Sequence, residues 1–153
     1  MKKTALVTGI CGQDGSYMAE LLLEKDYEVY GLVRRSSSDN LRRINHIKHL
    51  IKLIPGDLGD SASISDAVKL SNPDEIYNLG AMSFVPNSWN CPEYTFNVNC
   101  LGLLRLIEAS HEETKIYQAS TSEMYGNSYP DFKPISPVWN CEIIRPLSGK
   151  LIS

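Results

Sequence analysis

The amino-acid sequence predicts an α/β fold built on a doubly wound parallel sheet. Short apolar runs rich in β-branched residues alternate with longer stretches of helical periodicity, which is the order of βαβ units. Glycines cluster between the first apolar run and the first helical stretch, where the chain needs a tight turn. With 153 residues, of which 42% are hydrophobic, the chain is long enough for one domain with a substantial core.

The first half of the chain contains three predicted strands and two predicted helices. In order, these are a strand over 4–7, a helix over 15–25, a strand over 28–33, a helix over 41–50 and a strand over 52–54. Met18, Leu21 and Leu22 give the first helix an apolar stripe that can face the sheet. The second helix is predicted to be basic, and the strand after it should end in the turn Pro55-Gly56-Asp57.

The second half continues the same alternation. Its predicted elements are a helix over 61–70, a strand over 75–79, a helix over 92–110 and a strand over 115–119. The helix over 61–70 should end at Asn72-Pro73, because a residue that precedes proline disfavours the helical conformation. Five strands separated in this way are typical of a Rossmann-like doubly wound sheet.

Charge and hydropathy exclude several classes of protein. The formal net charge of −3 leaves no excess of Lys and Arg for nucleic acid or an anionic membrane. The apolar run near the N-terminus is too short for a signal peptide or a membrane span, so we expect a cytoplasmic protein that contacts neither nucleic acid nor membrane. The four cysteines have no Cys-x-x-Cys spacing and no nearby His, so no metal site is predicted.

Gly9, Gly12 and Gly15 follow the first strand at intervals of three residues. Gly9 would permit a sharp turn, Gly12 the close approach of a pyrophosphate, and Gly15 tight packing of helix on strand. Backbone N–H groups and the positive end of the helix would face the phosphates. The pattern therefore predicts a dinucleotide site, and the alternative is a glycine-rich turn without a ligand.

The second strand ends in Arg34 and Arg35, with no carboxylate there to bond the ribose hydroxyls of NAD. A guanidinium forms charge-assisted hydrogen bonds to a phosphate, which a carboxylate would repel. The sequence thus favours NADP. The alternative is that both arginines belong to a solvated basic surface with Arg42 and Arg43.

Several motifs together resemble one enzyme family. The turn Thr8-Gly-x-x-Gly-x-x-Gly has the spacing of short-chain dehydrogenases. The runs NLGAMSFVPNSW from Asn78, PEYT from Pro92 and YQASTSEMYG from Tyr117 resemble the GDP-mannose 4,6-dehydratase family, an extended branch of that group. The resemblance covers about residues 4–126, so we expect a dinucleotide-binding domain over 1–126 and an irregular tail over 127–153.

The resemblance implies NADP as cofactor. It implies an NADP site formed by Gly9, Ile10, Cys11, Gly12, Gln13, Asp14, Gly15, Arg34, Arg35, Asp57, Leu58, Leu79, Gly80, Ala81, Met82, Ser83, Tyr94 and Lys150. Asp57 matches the residue that hydrogen-bonds the adenine in this family. The alternative for Asp57 is a plain turn aspartate.

In this family GDP-mannose becomes GDP-4-keto-6-deoxymannose. A hydride passes from C4 to NADP, water is lost across C5 and C6, and the hydride returns to C6. Thr121 and Glu123 match two of the residues that manage protons in this chemistry. Because they follow the fifth strand two residues apart, both should face the crevice at the carboxyl end of the sheet. The alternative is a local turn or cap.

The tail departs from the family pattern. Aligning Lys150 with the family lysine of Tyr-x-x-x-Lys places Pro146 where the tyrosine should be, and proline has no proton to exchange. We expect the chain to be an N-terminal part, inactive alone, of an enzyme that binds GDP-mannose and forms a homo-oligomer when full length. The alternatives are another nucleotide-sugar reductase or epimerase, or a non-catalytic NADP-binding remnant.

Overall fold

The computed structural model describes residues 2–36 and 40–120, which form a five-stranded parallel sheet. Its strands are β1 (Thr4–Thr8), β2 (Glu28–Val33), β3 (Lys52–Pro55), β4 (Glu75–Asn78) and β5 (Lys115–Gln118). They lie in the order β3-β2-β1-β4-β5. The chain begins in the middle of the sheet and builds outward in two directions, which confirms the doubly wound fold.

Helices cover both faces of this sheet. Helix α1 (Gln13–Glu24) covers one face, and α2 (Ser61–Ser71) and α5 (Gly102–Ala109) cover the other. Two short helices, α3 (Val85–Asn90) and α4 (Pro92–Phe96), and a π-helical segment, Asn97–Leu101, precede α5. The helix predicted over 92–110 is thus a helical run with an interruption. Helix α2 ends as predicted, with Asn72 in the left-handed conformation (φ 39°) directly after it.

Alternation along the strands divides the core in two. On β1, Leu6 points to the side that holds Ile64 of α2 and Leu106 of α5. Its neighbours Ala5 and Val7 belong to the other core, which contains Leu22 of α1. Successive side chains of a strand face opposite sides of the sheet, and both sides are covered here, so successive residues of the central strand β1 are all buried after its first residue.

The basic helix predicted over 41–50 is wrong. A 3₁₀ turn covers Arg42–Ile44, and turns follow it to residue 50. The backbone N–H groups of Ile44, Ile47 and Leu50 donate to the carbonyls three residues earlier. The apolar residues recur every third position, which fits three residues per turn, and Ile44 and Ile47 are buried against the α1 side of the sheet.

All five strands run in the same direction, so their carboxyl ends share one edge of the sheet, called here the carboxyl edge.

Among the residues that the structure describes, no helix has the length and apolar character to cross a lipid bilayer.

Candidate dinucleotide site

The glycine turn after β1 has three positions with different requirements. Gly9 has φ 65°, and a Cβ there would lie 2.7 Å from the backbone nitrogen of Gly80. A Cβ on Gly15 would overlap the carbonyl of Gly9. Gly9 is therefore needed for the turn and Gly15 for close packing, as predicted.

Gly12 differs, because it is less crowded than Gly9 or Gly15 and its φ of −75° is one that any residue adopts. An added Cβ would lie 3.1 Å from the Gly9 carbonyl oxygen, a tight contact that a shift of a few tenths of an ångström would relieve. Gly12 is exposed and precedes α1, whose amino end no side chain caps. The amino end of a helix carries unsatisfied N–H groups and partial positive charge, so an anionic group can approach the backbone there.

The turn forms one wall of a cleft of about 510 Å³ at the carboxyl edge. Most of the predicted cofactor-binding residues line it: residues 9, 11–15, 34, 57, 58 and 79–83. Sequence reasoning did not select the other lining residues, which are Thr8, Leu32, Val33, Asn40, Gly56 and Val98. The structure thus brings together residues from the carboxyl ends of β1, β2, β3 and β4.

A few predicted site residues lie elsewhere. Ile10 is completely buried in the core on the α1 side, and Arg35 is exposed without lining the cleft. Tyr94 does not line the cleft either, but its hydroxyl accepts a hydrogen bond from Arg34 Nη1 at 3.3 Å. Thr121, Glu123 and Lys150, like Pro146, lie outside the described residues.

The two arginines after β2 are therefore not equivalent. Arg34 lines the cleft, and its carbonyl accepts a hydrogen bond from Asn40 Nδ2 at 3.4 Å. Arg35 has neither property. Of the two, Arg34 is the cation that can meet a phosphate inside the cleft.

Asp57 has a structural role in addition to its place in the cleft. Its Oδ1 accepts from the Gly59 N–H at 2.8 Å, and its own N–H donates to Ser63 Oγ at 3.0 Å. Asp57 therefore stabilises a turn, as the alternative interpretation of this residue predicted. Its Oδ2 has no hydrogen-bond partner among residues 2–36 and 40–120, and this atom can serve a ligand.

Polar side chains that sequence reasoning missed hold the cleft loops in place. The Thr8 hydroxyl donates to Asn78 Oδ1 at 2.5 Å and accepts the Gly80 N–H at 3.0 Å. Asn78 Nδ2 in turn donates to Gln118 Oε1 at 2.6 Å. This chain of contacts joins the carboxyl ends of β1, β4 and β5, and its members are the last residues of those strands.

The loop after β4 has a second support in Asn99, which lies in the π-helical segment. Asn99 Oδ1 accepts the Met82 N–H at 2.7 Å, and Asn99 Nδ2 donates to the Met82 carbonyl at 3.2 Å. Both backbone groups of Met82 are fixed in this way. The wall formed by residues 79–83 is thus set by side chains from outside the loop.

The charged side chains that line the cleft are Asp14, Arg34 and Asp57. Burial raises the pKa of the Cys11 thiol, so this wall residue stays neutral near pH 7. Within the described part of the chain, no three His, Cys, Asp or Glu side chains gather as metal ligands would. The arrangement can therefore bind and orient an anionic ligand, with backbone N–H groups and Arg34 as its main donors.

Comparisons with known proteins agree with this architecture. A family model described as GDP-mannose 4,6 dehydratase matches residues 6–137. A GDP-mannose 4,6-dehydratase of Vibrio cholerae serotype O1 is 51% identical over 137 residues, which are 82% of this chain and 37% of the relative. GDP-mannose 4,6 dehydratase 1 of Arabidopsis thaliana is 48% identical over 151 residues, covering 89% and 42%. The chain therefore spans about two-fifths of the length of these relatives.

Solved structures share the fold at lower identity. The UDP-glucose 4-epimerase of Thermus thermophilus, in complex with NAD, superposes with a TM-score of 0.69 at 27% identity. The match covers 90% of this chain and 46% of the epimerase.

Proposed function

The chain belongs to the GDP-mannose 4,6 dehydratase family, and on that premise we propose that it is the NADP-binding part of an enzyme converting GDP-mannose to GDP-4-keto-6-deoxymannose. The observation that carries the proposal is the glycine turn, in which Gly9 and Gly15 have no room for a side chain, whereas Gly12 has one tight contact and is exposed toward a cleft. A glycine whose backbone conformation any residue can adopt is explained by a ligand that approaches the backbone closely.

The residues present fit a dinucleotide. The pyrophosphate would lie against Gly12 at the uncapped amino end of α1. The adenine would lie near Asp57 and Leu58, which line the cleft beyond the end of β3. The Thermus epimerase is in complex with NAD, whereas here Arg34 supports NADP, because its guanidinium can bond the additional phosphate.

The protein's own residues would supply binding and proton transfer. The chemistry that a bound nicotinamide supplies is the removal and later return of one hydride. Thr121 would assist proton loss from the C4 hydroxyl. Glu123 would then remove the C5 proton, which the C4 ketone acidifies. Both residues follow β5, whose end Gln118 is joined to Asn78 and hence to the glycine turn.

Calorimetry tests the cofactor proposal. We expect NADP to bind at least about tenfold more tightly than NAD, since a hydrogen bond to a charged group contributes about 1.5–3 kcal/mol. Arg34→Ala should remove this preference. Arg35→Ala is the matched control and should keep it, because Arg35 does not line the cleft. Equal or reversed affinities in the unmodified chain would contradict the assignment of NADP.

A second candidate function is binding of NADP without catalysis. Pro146 favours it, because it takes the place of the proton-transferring tyrosine. We expect the purified 153-residue chain to form no 4-keto-6-deoxy product from GDP-mannose and NADP. The check is mass spectrometry of the nucleotide sugar after prolonged incubation, with a complete family enzyme as positive control. Product formed by this chain would exclude the non-catalytic alternative.

A further inference from the structure

Arg105, on α5, is the most heavily hydrogen-bonded cation in the described part of the chain, yet it does not line the cleft. It borders a separate hollow between α2 and α5. Its Nε donates to Ser61 Oγ at 3.0 Å, and its Nη2 donates to Asn97 Oδ1 at 2.7 Å. Its Nη1 donates to two backbone carbonyls, those of Leu58 at 2.9 Å and Asn97 at 3.0 Å.

These two carbonyls belong to different walls of the cleft. Leu58 itself lines the cleft, in the loop after β3, and Asn97 directly precedes Val98, which lines it from the π-helical segment. The walls also pack closely, since a Cβ on Gly102 would lie 3.0 Å from Leu58 Cβ. The Arg105 guanidinium therefore connects the two walls from outside the cleft.

The π-helical segment explains why an arginine is suited to this position. The Asn97 carbonyl accepts the N–H of Gly102, five residues later, and its remaining lone pair accepts from Arg105. A π turn is wider than an α turn and occurs frequently at functional sites. The planar fork of arginine reaches several acceptors at fixed angles, whereas the single ammonium of lysine does not.

We infer that Arg105 is a positioning residue of the dinucleotide site, holding Asp57 and Leu58 at the distance from Val98 that the adenine half of the ligand requires. The inference rests on the proposed function, which places the adenine beside Asp57 and Leu58. Arg105 acts through the Leu58 carbonyl and touches no ligand. Loss of its fork should therefore weaken binding of the adenine half and leave the nicotinamide half unaffected.

The test uses ligand-observed NMR titration of the 153-residue chain with two probes. Adenosine 2′,5′-bisphosphate represents the adenine half of NADP, and nicotinamide mononucleotide represents the other half. For Arg105→Met we expect affinity for the first probe to fall about tenfold, because Asp57 and Leu58 would no longer be held in place and the adenine would lose about one hydrogen bond. Affinity for the second probe should change less than about twofold.

Arg43→Met is the matched control, because Arg43 is exposed, does not line the cleft, and carries the same charge. It should leave both affinities unchanged, which separates the fork from a general loss of positive charge. Arg105→Lys keeps the charge and should weaken binding of adenosine 2′,5′-bisphosphate by about three- to fivefold. If Arg105→Met does not fold, the Arg105→Lys variant tests the inference in its place.

Three results would be adverse, and they differ in what they overturn. Unchanged adenosine affinity in Arg105→Lys and in folded Arg105→Met would overturn the inference and leave the proposed function standing. Equal weakening of both probes would also overturn the inference, because it would show a merely structural role. If neither probe nor NADP bound to the unmodified chain, the proposed function and the inference would both be overturned.

Discussion

At the amino edge of the sheet, charged side chains are paired with one another, whereas at the carboxyl edge the backbone itself lines an open cleft. Glu75, the first residue of β4, accepts hydrogen bonds from Lys3 Nζ at 3.0 Å, Tyr77 Oη at 2.8 Å and Tyr27 Oη at 3.3 Å. Glu28, the first residue of β2, is paired with Lys52. These carboxylates are satisfied within the fold.

The carboxyl edge is arranged in the opposite way. Gly9 and Gly12 withhold side chains from the turn, and the amino end of α1 has no side-chain cap. Within the described residues, the Arg34 side chain donates a hydrogen bond to the hydroxyl of Tyr94. The difference teaches that polar content alone does not mark the site. Groups that the fold leaves available mark it, and the two edges should respond differently to mutation.

The largest expected effect is at the carboxyl edge, in a comparison of Gly9→Ala with Gly12→Ala. Gly9→Ala places a side chain at positive φ and against the backbone of Gly80, so it should lower the free energy of unfolding by about 2–3 kcal/mol. Gly12→Ala should change it by less than about 1 kcal/mol. It should nevertheless weaken NADP binding at least about tenfold by displacing the pyrophosphate.

Urea denaturation and calorimetry on both variants separate the two requirements. The contrast between the amino edge and the carboxyl edge is tested by Gly12→Ala, which should keep the fold and weaken binding of the ligand. If it bound NADP as tightly as the unmodified chain, the close approach to Gly12 would be refuted. A large loss of stability in Gly12→Ala would instead show that the fold, and not the ligand, requires this glycine.

Much of the fold was predictable because it depends on local patterns. The observed strands agree with the predicted ones to within one residue, since short apolar runs bounded by turn residues have few alternatives. Gly9 and Gly15 have the conformational roles expected of them. The gathering of residues 9, 34, 57 and 79–83 at one cleft follows from the parallel order of the strands.

The features that sequence could not predict depend on tertiary contacts. The period of three in Ile44 and Ile47 is compatible with an α-helix, and only hydrogen bonding in the folded chain shows 3₁₀-type turns. Helix α3 is too short to show periodicity. The Arg105 guanidinium donates a hydrogen bond to the carbonyl of Leu58, which is 47 residues earlier in the chain. Sequence cannot show which of two adjacent arginines lines a cleft. Arg34 and Arg35 are distinguished only by their positions in the folded chain.

The smallest expected effect is at the amino edge and concerns Glu75→Gln. Burial by itself would raise the pKa of the Glu75 carboxyl, but hydrogen bonds from Tyr77 and Lys3 outweigh it, and the pKa lies below its ordinary value of 4.5. A lowered pKa in the folded state stabilises the protein above the unfolded pKa, and this contribution is lost as the pH falls through the folded value. Glu75→Gln should therefore lower the free energy of unfolding at pH 7 by roughly 0.5 kcal/mol, as expected for a partly solvated pair.

The pH dependence distinguishes this loss from a change in packing. The difference between Glu75→Gln and the unmodified chain should be constant from pH 7 down to about 4.5 and should shrink below it, as measured by urea denaturation at each pH. NADP affinity should not change, because Glu75 is at the edge opposite the cleft. A stability difference that persists at low pH would assign the effect to packing. Weaker NADP binding in this variant would mean that the two edges are energetically coupled, and the contrast between them would then fail.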